Sequence, residues 1–408
     1  MAGKKREDVR EEDVSGLKYF DKLAPLLARL HSVGCQRDKA GNRDLHFDQY
    51  CLLVLLFLFN PVVRSLRALQ QASELKKVQR RLGCLRAALG SLSESVQVFE
   101  PERLKEIIAE LGQQLAPIAQ DSRLKDLQYT ITLVDGTLLK ALPRITEAMW
   151  LSSRTGAAHH AWRLHTQFEL DRHVPVRMTL TNGRNSGPSD EKNVLRTQLQ
   201  PDRCYVMDRW YAQFTLFNDI HRAGSGYVCR VRDNSVFEVI KERPLSQADM
   251  TANVVRDVVV NMGLSKAAAK QPDHPVRLVI VQVKPHEKRS NRKGNTGAGP
   301  SDGLLRIATD LLDVPAEIIA LLYLYRYTIE LFFRFFKHVL GCRHLLSDDP
   351  KGIEIQTYCA IIACMLISLC TGRKPTLRTY EMICYYMIGW ADEEEFLAHL
   401  AKLQPHTA

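Results

Sequence analysis

The hydrophobic positions of residues 1–125 follow a helical period. Two groups of apolar residues recur at spacings of three and four: Leu23, Leu26, Leu27 and Leu30, and then Leu104, Ile107, Ile108 and Leu111. Residues three and four apart lie on one face of a helix, so each group can bury one side of a helix in a core. The pattern predicts a helical N-terminal region.

The period changes to that of strands after residue 125. Segments that alternate or are rich in β-branched residues predict five strands, at Leu127–Val134, Trp162–Leu170, Val174–Leu180, Arg203–Met207 and Gly226–Val231. A helix that begins at Asp190 and a second over Ala212–His221 separate the later strands. This order of strands and helices predicts a mixed α/β layout.

Residues 234–311 interrupt the α/β pattern. Val254–Val260 and Val276–Val283 are predicted strands, and they are followed by a polar, glycine-rich and basic loop, His286–Gly303. No Gly-Lys-Ser/Thr sequence follows its glycines, so the loop lacks the signature of a phosphate-binding P-loop. Leu311–Leu340 is predicted to form a long helix, broken near Pro315, and the remainder to residue 408 is helical and apolar.

The apolar runs are too short to cross a membrane. The two longest, Tyr50–Phe59 and Tyr358–Cys370, contain ten and thirteen residues, whereas a spanning helix needs about 20. The first eight residues are mostly charged, unlike those of a signal peptide. We therefore predict buried helices and no association with a membrane.

Composition and charge narrow the class of protein further. Hydrophobic residues make up 45% of the 408 residues and charged residues 25%, close to the average of globular domains. The ten cysteines include no Cys-x-x-Cys pair, so we expect reduced core thiols rather than a zinc site. Lysine and arginine number 56 against 46 aspartates and glutamates, and this net charge of +10 favours a polyanionic partner.

The basic surplus is concentrated in residues 61–90. This segment holds seven basic residues and a single acidic one, Glu74. On a helix, the (i, i+4) pairs Lys76/Arg80 and Lys77/Arg81 share one side, and nearby leucines can occupy the other. We predict that these four residues, here called the basic stripe, contact DNA phosphates. The alternative is a solvated helix face.

Three acidic residues are distinguished by their positions. Asp135 and Asp208 each directly follow an apolar strand, in Leu-Val-Asp-Gly-Thr and in Val-Met-Asp-Arg-Trp-Tyr. Side chains at such strand ends point into the crevice where α/β sheets bind ligands. The third, Glu330, lies in the predicted long helix, within a segment rich in aromatic and basic residues.

Helical geometry gives the segment around Glu330 two distinct edges. At about 100° per residue, one arc of roughly 60° contains Tyr323, Arg326, Glu330 and Lys337. The neighbouring edge is apolar and consists of Leu322, Ile329, Phe333, Phe336 and Leu340. A carboxylate flanked by cations suits a metal-bound phosphate. The alternative is a surface helix with an Arg–Glu pair worth a few tenths of a kcal/mol.

Together these residues resemble a known family. The spacing Tyr-x2-Arg-x3-Glu-x6-Lys, preceded by the two aspartates in order, is similar to the Tyr-Arg-Glu-Lys signature of bacterial DDE transposases of the insertion-sequence-four type. The lead-in Asp310-Leu-Leu-Asp-Val-Pro-Ala-Glu and the later Gly352-Ile-Glu-Ile-Gln-Thr-Tyr also resemble that family. The resemblance covers residues 130–370.

The resemblance implies a fold and a domain organisation. It implies a ribonuclease-H-like catalytic core, a mixed five-stranded sheet with helices, formed by residues 126–233 and 312–345. A β-rich insertion, residues 234–311, would interrupt this core. A helical DNA-binding region over residues 1–125 and a helical C-terminal region over residues 346–408 would flank it.

The resemblance also implies a metal centre. Asp135, Asp208 and Glu330 would be the catalytic residues and would bind two Mg²⁺ ions, with Mn²⁺ as a substitute. Two such ions about 4 Å apart clamp the attacking and leaving oxygens of an in-line displacement. They also relieve the repulsion between three converging carboxylates.

The implied substrate is double-stranded DNA. Arg326 and Lys337 would hold DNA phosphates beside the scissile bond, and Tyr323 would help to position the strand. Members of the family cut DNA at the terminal inverted repeats of their own element and join the ends to target DNA. They work as a homodimer in a synaptic complex. The implied location is the bacterial cytoplasm, at the nucleoid when the protein is bound to DNA.

Two features depart from the family, and two other functions fit the same residues. The family has glycine where this chain has Trp210, and residues 234–311 lack the tryptophan that holds a flipped base in well-studied relatives. The alternative functions are a catalytically silent DNA-binding derivative and a hydrolytic nuclease of the same fold. The complete set of acids argues against the first, and the basic stripe favours recognition of DNA ends over general digestion.

Overall fold

A computed structural model of the chain describes residue 20 and residues 23–34, 43–118, 121–140, 149–152, 158–263, 271–283, 303–339, 345–347 and 349–402. The predicted loop from residue 286 to residue 302 lies outside the described residues, as does Leu340 of the predicted apolar edge.

Six short helices form the described part of residues 20–118. They are α1 (Ala24–Ala28), α2 (Phe47–Phe59), α3 (Leu66–Glu74), α4 (Lys76–Leu82), α5 (Leu89–Glu94) and α6 (Glu102–Gln114). Both predicted apolar groups face the core, since all of their residues except Leu26 are buried. Local signals set the helix ends: the Ser65 hydroxyl accepts the Ala68 N–H at 3.1 Å at the start of α3, and Gly83, with φ of 61°, ends α4.

A ten-stranded mixed sheet occupies the middle of the chain. Its elements in chain order are β1 (Thr130–Lys140), β2 (Met149–Ser152), β3 (Ala158–Glu169), β4 (Val174–Asn182), α7 (Glu191–Arg196), β5 (Arg203–Met207), α8 (Phe214–Arg222), β6 (Gly226–Arg230), β7 (Phe237–Glu242), α9 (Gln247–Thr251), β8 (Val254–Met262), β9 (Val276–Gln282) and β10 (Leu304–Thr309). The strand order is β2-β3-β1-β5-β6-β10-β9-β8-β7, and β4 also pairs with β3. The predicted α/β class is confirmed.

Parallel and antiparallel strands meet at β1. β3 is antiparallel to both β1 and β4, whereas β5 is parallel to β1 and β6 is parallel to β5. The prediction that the first strand ends at Val134 is wrong, because β1 continues to Lys140 by pairing with β3. Its pairing with β5 stops at Val134 and Met207. Asp135 therefore lies within β1 but immediately beyond the end of β5.

Strands β7 to β10 extend the same sheet. β10 is antiparallel to β6, and β9, β8 and β7 follow in antiparallel order. The buried Arg277 of β9 donates two hydrogen bonds of 2.8 Å to Asp257 of β8 and one of 3.0 Å to the main-chain oxygen of Leu311. The bidentate pair joins β9 to β8, and the bond to Leu311 ties these strands to the segment that leads into the next helix.

The long helix predicted at residues 311–340 is divided at Arg326 and begins after Pro315. α10 (Ala316–Tyr325) and α11 (Tyr327–Val339) meet at Arg326, where φ is −52° and ψ is −32°, so the main chain keeps its right-handed helical course. α11 packs against β1. The predicted apolar edge is buried at each described position, namely Leu322, Ile329, Phe333 and Phe336.

Three helices follow, α12 (Pro350–Thr371), α13 (Leu377–Met387) and α14 (Glu393–Lys402). α12 packs against α2 and α6 in the main hydrophobic core. Its segment Pro350–Leu369 is long and apolar enough to cross a bilayer, but most of it is buried inside the protein, as is typical of a core helix. The seven cysteines whose side chains the structure describes are buried, as predicted for core thiols.

Candidate active site

The pairing of β1 with β5 brings Asp135 and Asp208 together. Each aspartate directly follows the last residue pair of these parallel strands, and neighbouring strands lie about 4.8 Å apart. The Gly136 N–H donates to Asp135 Oδ1 at 2.8 Å. The Trp210 N–H donates to Asp208 Oδ1 at 2.8 Å, an Asx turn that holds this carboxylate at the end of β5.

Arg326 connects Asp135 to Glu330. Its Nη1 lies 3.5 Å from Asp135 Oδ2, and its Nη2 donates to Glu330 Oε1. The predicted (i, i+4) pair therefore exists, but it is not an isolated pair on a surface helix. The Arg326 side chain is only 16% exposed, and it bridges a carboxylate of the sheet and one of the helix.

Lys337 borders the same cleft, whereas Tyr323 lines a different one. Asp135, Glu330 and Lys337 line a cleft of about 270 Å³. Tyr323 and Arg326 line a larger, mostly apolar cavity of about 860 Å³ bounded by α9, α10 and the ends of β9 and β10. Because Asp135 and Glu330 meet in the smaller cleft, that cleft is the candidate active site. Burial raises the pKa of Tyr323, so its hydroxyl remains a donor at neutral pH.

The electrostatics of this cleft suit a bound cation. Burial, together with repulsion from Asp208 and Glu191, raises the pKa of Asp135 to about 7, although Arg326 and the Gly136 N–H oppose the shift. Carboxylate oxygens are the ligands that Mg²⁺ and Mn²⁺ prefer. A divalent cation would keep Asp135 ionised at neutral pH. The donor set and its unbalanced negative charge therefore fit the predicted metal.

A fourth carboxylate, Glu191, was missed in the sequence. It lies at the start of α7, pairs with Arg163 of β3 and interacts with the Tyr211 hydroxyl. Burial raises its pKa, and Asp208 contributes to the shift. An acidic residue in the first turn of a helix is ordinarily explained by the helix dipole, so nothing in the spacing indicated that Glu191 faces Gly136.

Gly136 has no room for a side chain. A Cβ at this position would lie 2.8 Å from Glu191 Oε1. Since Arg163 and Tyr211 hold that carboxylate, it cannot move aside freely. We expect Gly136→Ala to lower the free energy of unfolding by about 1–3 kcal/mol, as overpacking does elsewhere, and urea denaturation measures this.

The control for this prediction is Gly112, a glycine at which there is room for a Cβ atom. A Cβ on Gly112, inside α6, would contact only Met365 Cε, at 3.6 Å. Gly112→Ala is expected to raise the free energy of unfolding by about 0.5–1 kcal/mol, because alanine loses less backbone entropy in a helix. A Gly136→Ala protein as stable as wild type would show that Glu191 is not held in place.

Trp210 presents an exposed indole beside Asp208. The residue is 50% exposed, and Lys192 Nζ of α7 lies 4.8 Å from the ring centroid in a cation–π contact. A large aromatic side chain therefore stands two residues after Asp208, at the position where the family that this chain resembles has glycine.

The basic stripe lies on α4. Lys76, Arg80 and Arg81 are exposed and Lys77 is half-buried, while Val78 and Leu82 of the same helix are buried. The acid of this segment, Glu74, pairs with Arg86 at 2.9 Å. The structure therefore places the four cations on a helix that is backed by apolar residues.

A second group of possible metal ligands lies away from the cleft. His221, His274 and Asp310 approach one another closely. Their polar atoms already bond within the protein: His221 to Asp310 at 2.9 Å, and the two nitrogens of His274 to Asp273 at 3.2 Å and to Tyr227 at 3.1 Å. The two imidazoles also stack at 4.3 Å. This arrangement joins α8 to the start of β9 without need of an ion.

Two curated proteins are similar to about half of this chain. A protein of Sinorhizobium fredii named as a transposase, y4zB, is 24% identical over 226 residues, which are 54% of this chain and 58% of the relative. A protein of Geobacillus stearothermophilus named as the transposase for insertion sequence element IS5377 is 27% identical over 212 residues, 50% of this chain and 48% of the relative. The chain spans about half the length of these curated relatives.

One solved structure is similar over most of the chain. It is the piggyBac transposase in a synaptic complex with hairpin DNA, at a TM-score of 0.43 and 11% identity, covering 96% of this chain and 85% of that one. The family model described as "Transposase DDE domain" matches residues 126–366, more than half of the chain, and includes all three acids of the site. The chain therefore belongs to the family of transposase DDE domains.

Proposed function

We propose that this protein is a DNA transposase of the insertion-sequence-four type. It would cut double-stranded DNA at terminal inverted repeats and join the ends to target DNA. The observation that carries the proposal is the meeting of Asp135, Glu330 and Lys337 in one cleft, with Asp208 on the neighbouring strand. Carboxylates from three separate segments that converge beside cations are what metal-dependent phosphoryl transfer requires.

We assign five strands to a ribonuclease-H-like core. The order β4-β3-β1-β5-β6, with an antiparallel meander followed by two strands parallel to β1, supports this assignment. Residues 126–233 and 312–345 would form the core and residues 234–311 its β-rich insertion. Residues 1–125 would bind DNA, and residues 346–408 would form a helical C-terminal region.

In the proposed reaction, Asp135, Asp208 and Glu330 would hold two Mg²⁺ ions, for which Mn²⁺ could substitute. The family generally uses divalent metal ions. The chemistry that such ions supply is activation of the attacking oxygen and stabilisation of the leaving oxygen. The protein contributes the geometry: the sheet fixes the two aspartates, and α11 brings Glu330 to them.

The remaining groups bind the DNA strand. Arg326 pairs with both Asp135 and Glu330 in the protein without DNA, and we infer that its guanidinium would also bond a DNA phosphate at the cleft. A planar guanidinium can bond a phosphate through two N–H groups. Lys337 adds a second positive charge at the cleft. The protonated hydroxyl of Tyr323 would position the strand.

The basic stripe is proposed to recognise the terminal repeats. Replacing Lys76, Lys77, Arg80 and Arg81 by alanine is expected to weaken DNA binding. The slope of log affinity against log salt should fall by about 0.9 for each DNA phosphate that the variant no longer neutralises. Fluorescence anisotropy at several salt concentrations measures the slope.

Alanine replacement of Arg103 and Lys105 is the control for the stripe. Both lie on α6 and already pair with glutamates of that helix, so the slope should not change. An unchanged slope in the stripe variant would contradict the prediction. The phosphate-binding residues would then be sought in the basic loop, at Lys288, Arg289, Arg292 and Lys293.

The proposed partners are terminal-repeat and target DNA and a second copy of the chain. The two copies would form a homodimer that holds both DNA ends in a synaptic complex. We propose that the protein acts in the bacterial cytoplasm, at the nucleoid, without binding a membrane.

Cleavage of a supercoiled plasmid that carries the DNA flanking the gene tests the function. With Mg²⁺, wild-type protein is expected to cut at the repeat ends and to join them to target DNA, and EDTA should abolish both steps. Tight end binding without cutting would favour the silent derivative instead. Cutting without joining would favour the hydrolytic nuclease.

A further inference from the structure

Glu191 is a buried carboxylate that the proposed reaction does not use. It is the first residue of α7, and its N–H donates to Asn185 Oδ1 at 2.9 Å. Only 6% of its side chain is exposed, whereas first-turn acids are ordinarily solvated. Removing a carboxylate from water is costly, so its burial depends on the groups that surround it.

On one side, Glu191 packs against the main chain that orients Asp135. Its Oε1 lies 2.8 Å from where a Cβ on residue 136 would stand, so only glycine allows this approach. The N–H of the same Gly136 donates to Asp135 Oδ1 at 2.8 Å. A displacement of Glu191 would therefore disturb the residue that holds the Asp135 carboxylate.

On the other side, Glu191 holds the turn that follows Asp208. The Tyr211 hydroxyl interacts with the Glu191 carboxylate. The Tyr211 N–H donates to the main-chain oxygen of Asp208 at 3.1 Å. Tyr211 is 1% exposed, so the surrounding core fixes its ring. Glu191 thus connects the segments that carry the two aspartates.

Arg163 fixes Glu191 itself. Its Nη1 pairs with Glu191 Oε1, and the Arg163 side chain is 16% exposed. Arg163 belongs to β3, where it is paired with Leu138 of β1, three residues beyond Asp135. The ion pair is therefore anchored to the same strand pair as the aspartate, and a charge-assisted hydrogen bond of this kind is strong and directional.

We infer that Glu191 is a positioning residue that sets the relative placement of the Asp135 and Asp208 carboxylates, and thereby the affinity of the site for divalent cations. The inference rests on the proposed function, since it takes these aspartates as metal ligands. Glu191 acts through Gly136 and Tyr211 rather than by touching the metal. Residues that orient metal ligands typically change metal affinity or activity about 10–100-fold when they are replaced.

Titration of the full chain with Mn²⁺, followed by electron paramagnetic resonance and without DNA, tests the inference. Glu191→Gln keeps the size of the side chain but removes the charge that Arg163 holds. We expect Mn²⁺ affinity to fall about 10-fold or more, with the number of bound ions unchanged. Raising the Mn²⁺ concentration should restore DNA cleavage by Glu191→Gln but not by Asp135→Asn.

Glu169→Gln is the matched control. Glu169 is buried to a similar degree, with 8% of its side chain exposed, and pairs with Arg172 at 3.2 Å and Arg203 at 3.8 Å. It lies on β3 opposite Thr132, away from the cleft. Removal of this charge should affect stability but not Mn²⁺ affinity. Tyr211→Phe is a milder second variant for the case in which Glu191→Gln does not fold. It is expected to weaken Mn²⁺ binding several-fold.

The outcomes separate this inference from the proposed function. Wild-type affinity in Glu191→Gln and Tyr211→Phe, or equal decreases in Glu191→Gln and Glu169→Gln, would overturn the positioning role alone. Loss of one bound ion in Glu191→Gln would make Glu191 a ligand and overturn it as well. If wild type binds no Mn²⁺, or binds it no better than Asp135→Asn does, the proposed metal centre is wrong and the inference fails with it.

Discussion

Strand cleavage by the Glu330→Gln variant is expected to be about three powers of ten slower than cleavage by wild type, since metal assistance contributes several kcal/mol to such reactions. Glutamine has the size of glutamate and an oxygen that can still accept the Arg326 hydrogen bond. The substitution therefore removes a negative charge from the cleft with little change in packing. Rates of plasmid cutting at the repeat ends, in Mg²⁺ and with EDTA as the blank, measure the effect.

Glu354→Gln is the matched control for Glu330. Glu354 is also a half-buried glutamate on a helix, and it accepts a hydrogen bond of 2.5 Å from Tyr358, four residues later. Its replacement should leave the cleavage rate unchanged. Cleavage by Glu330→Gln at the wild-type rate would exclude Glu330 from the metal site and would return the Arg326–Glu330 pair to an ordinary helix pair.

The Asp135→Asn variant is expected to be more stable than wild type above pH 7 when no metal is present. The pKa of Asp135 rises from the ordinary value of 3.8 to about 7, so between these values the folded state binds a proton that the unfolded state has released. The protonated Asp135 carboxyl therefore contributes to the stability of the folded state. This contribution is fully present below pH 3.8 and is lost as the pH rises through about 7. Three pKa units correspond to about 4 kcal/mol.

Thermal unfolding in EDTA from pH 4 to pH 8 measures this difference. Wild-type stability should fall relative to that of Asp135→Asn over this range, and the gap should close when Mn²⁺ binds to wild type. A gap that is independent of pH would show that Asp135 keeps an ordinary pKa.

Asp249→Asn is the control with the opposite sign. Although burial opposes the shift, hydrogen bonds from Glu317 and Ser246 lower the pKa of Asp249 to about 2. A lowered pKa contributes stability that is present above pH 3.8 and is lost as the pH falls through about 2. Asp249→Asn should therefore be less stable than wild type at neutral pH, where Asp135→Asn is more stable.

The Glu330 and Asp135 variants both test the same opposition between the stability of the folded chain and the charge that the site needs for function. Carboxylates that are buried together destabilise the folded chain until a cation joins them, and active sites commonly retain such costs because function needs them. Arg326 relieves part of the repulsion by pairing with Asp135 and Glu330. Burial, with a smaller contribution from Asp208 and Glu191, nevertheless keeps the pKa of Asp135 raised.

Much of the fold could be predicted from local pattern. The helical period placed the described apolar edge of α10 and α11 in the core, and the strand period located β5, β6, β8 and β9. The end of β1 was predicted wrongly because a polar, glycine-containing stretch after Val134 has the signature of a turn. It is held in a strand by β3, a partner that is distant in sequence.

The sequence by itself determined the fold class, the family resemblance and the residues predicted for the site, because order and spacing along the chain are local properties. Only the tertiary structure decided how these residues meet. Arg326 bridges Asp135 and Glu330, and Glu191 packs on Gly136, through approaches between segments that are far apart in sequence. Such approaches depend on sheet register and helix packing, which no single segment specifies.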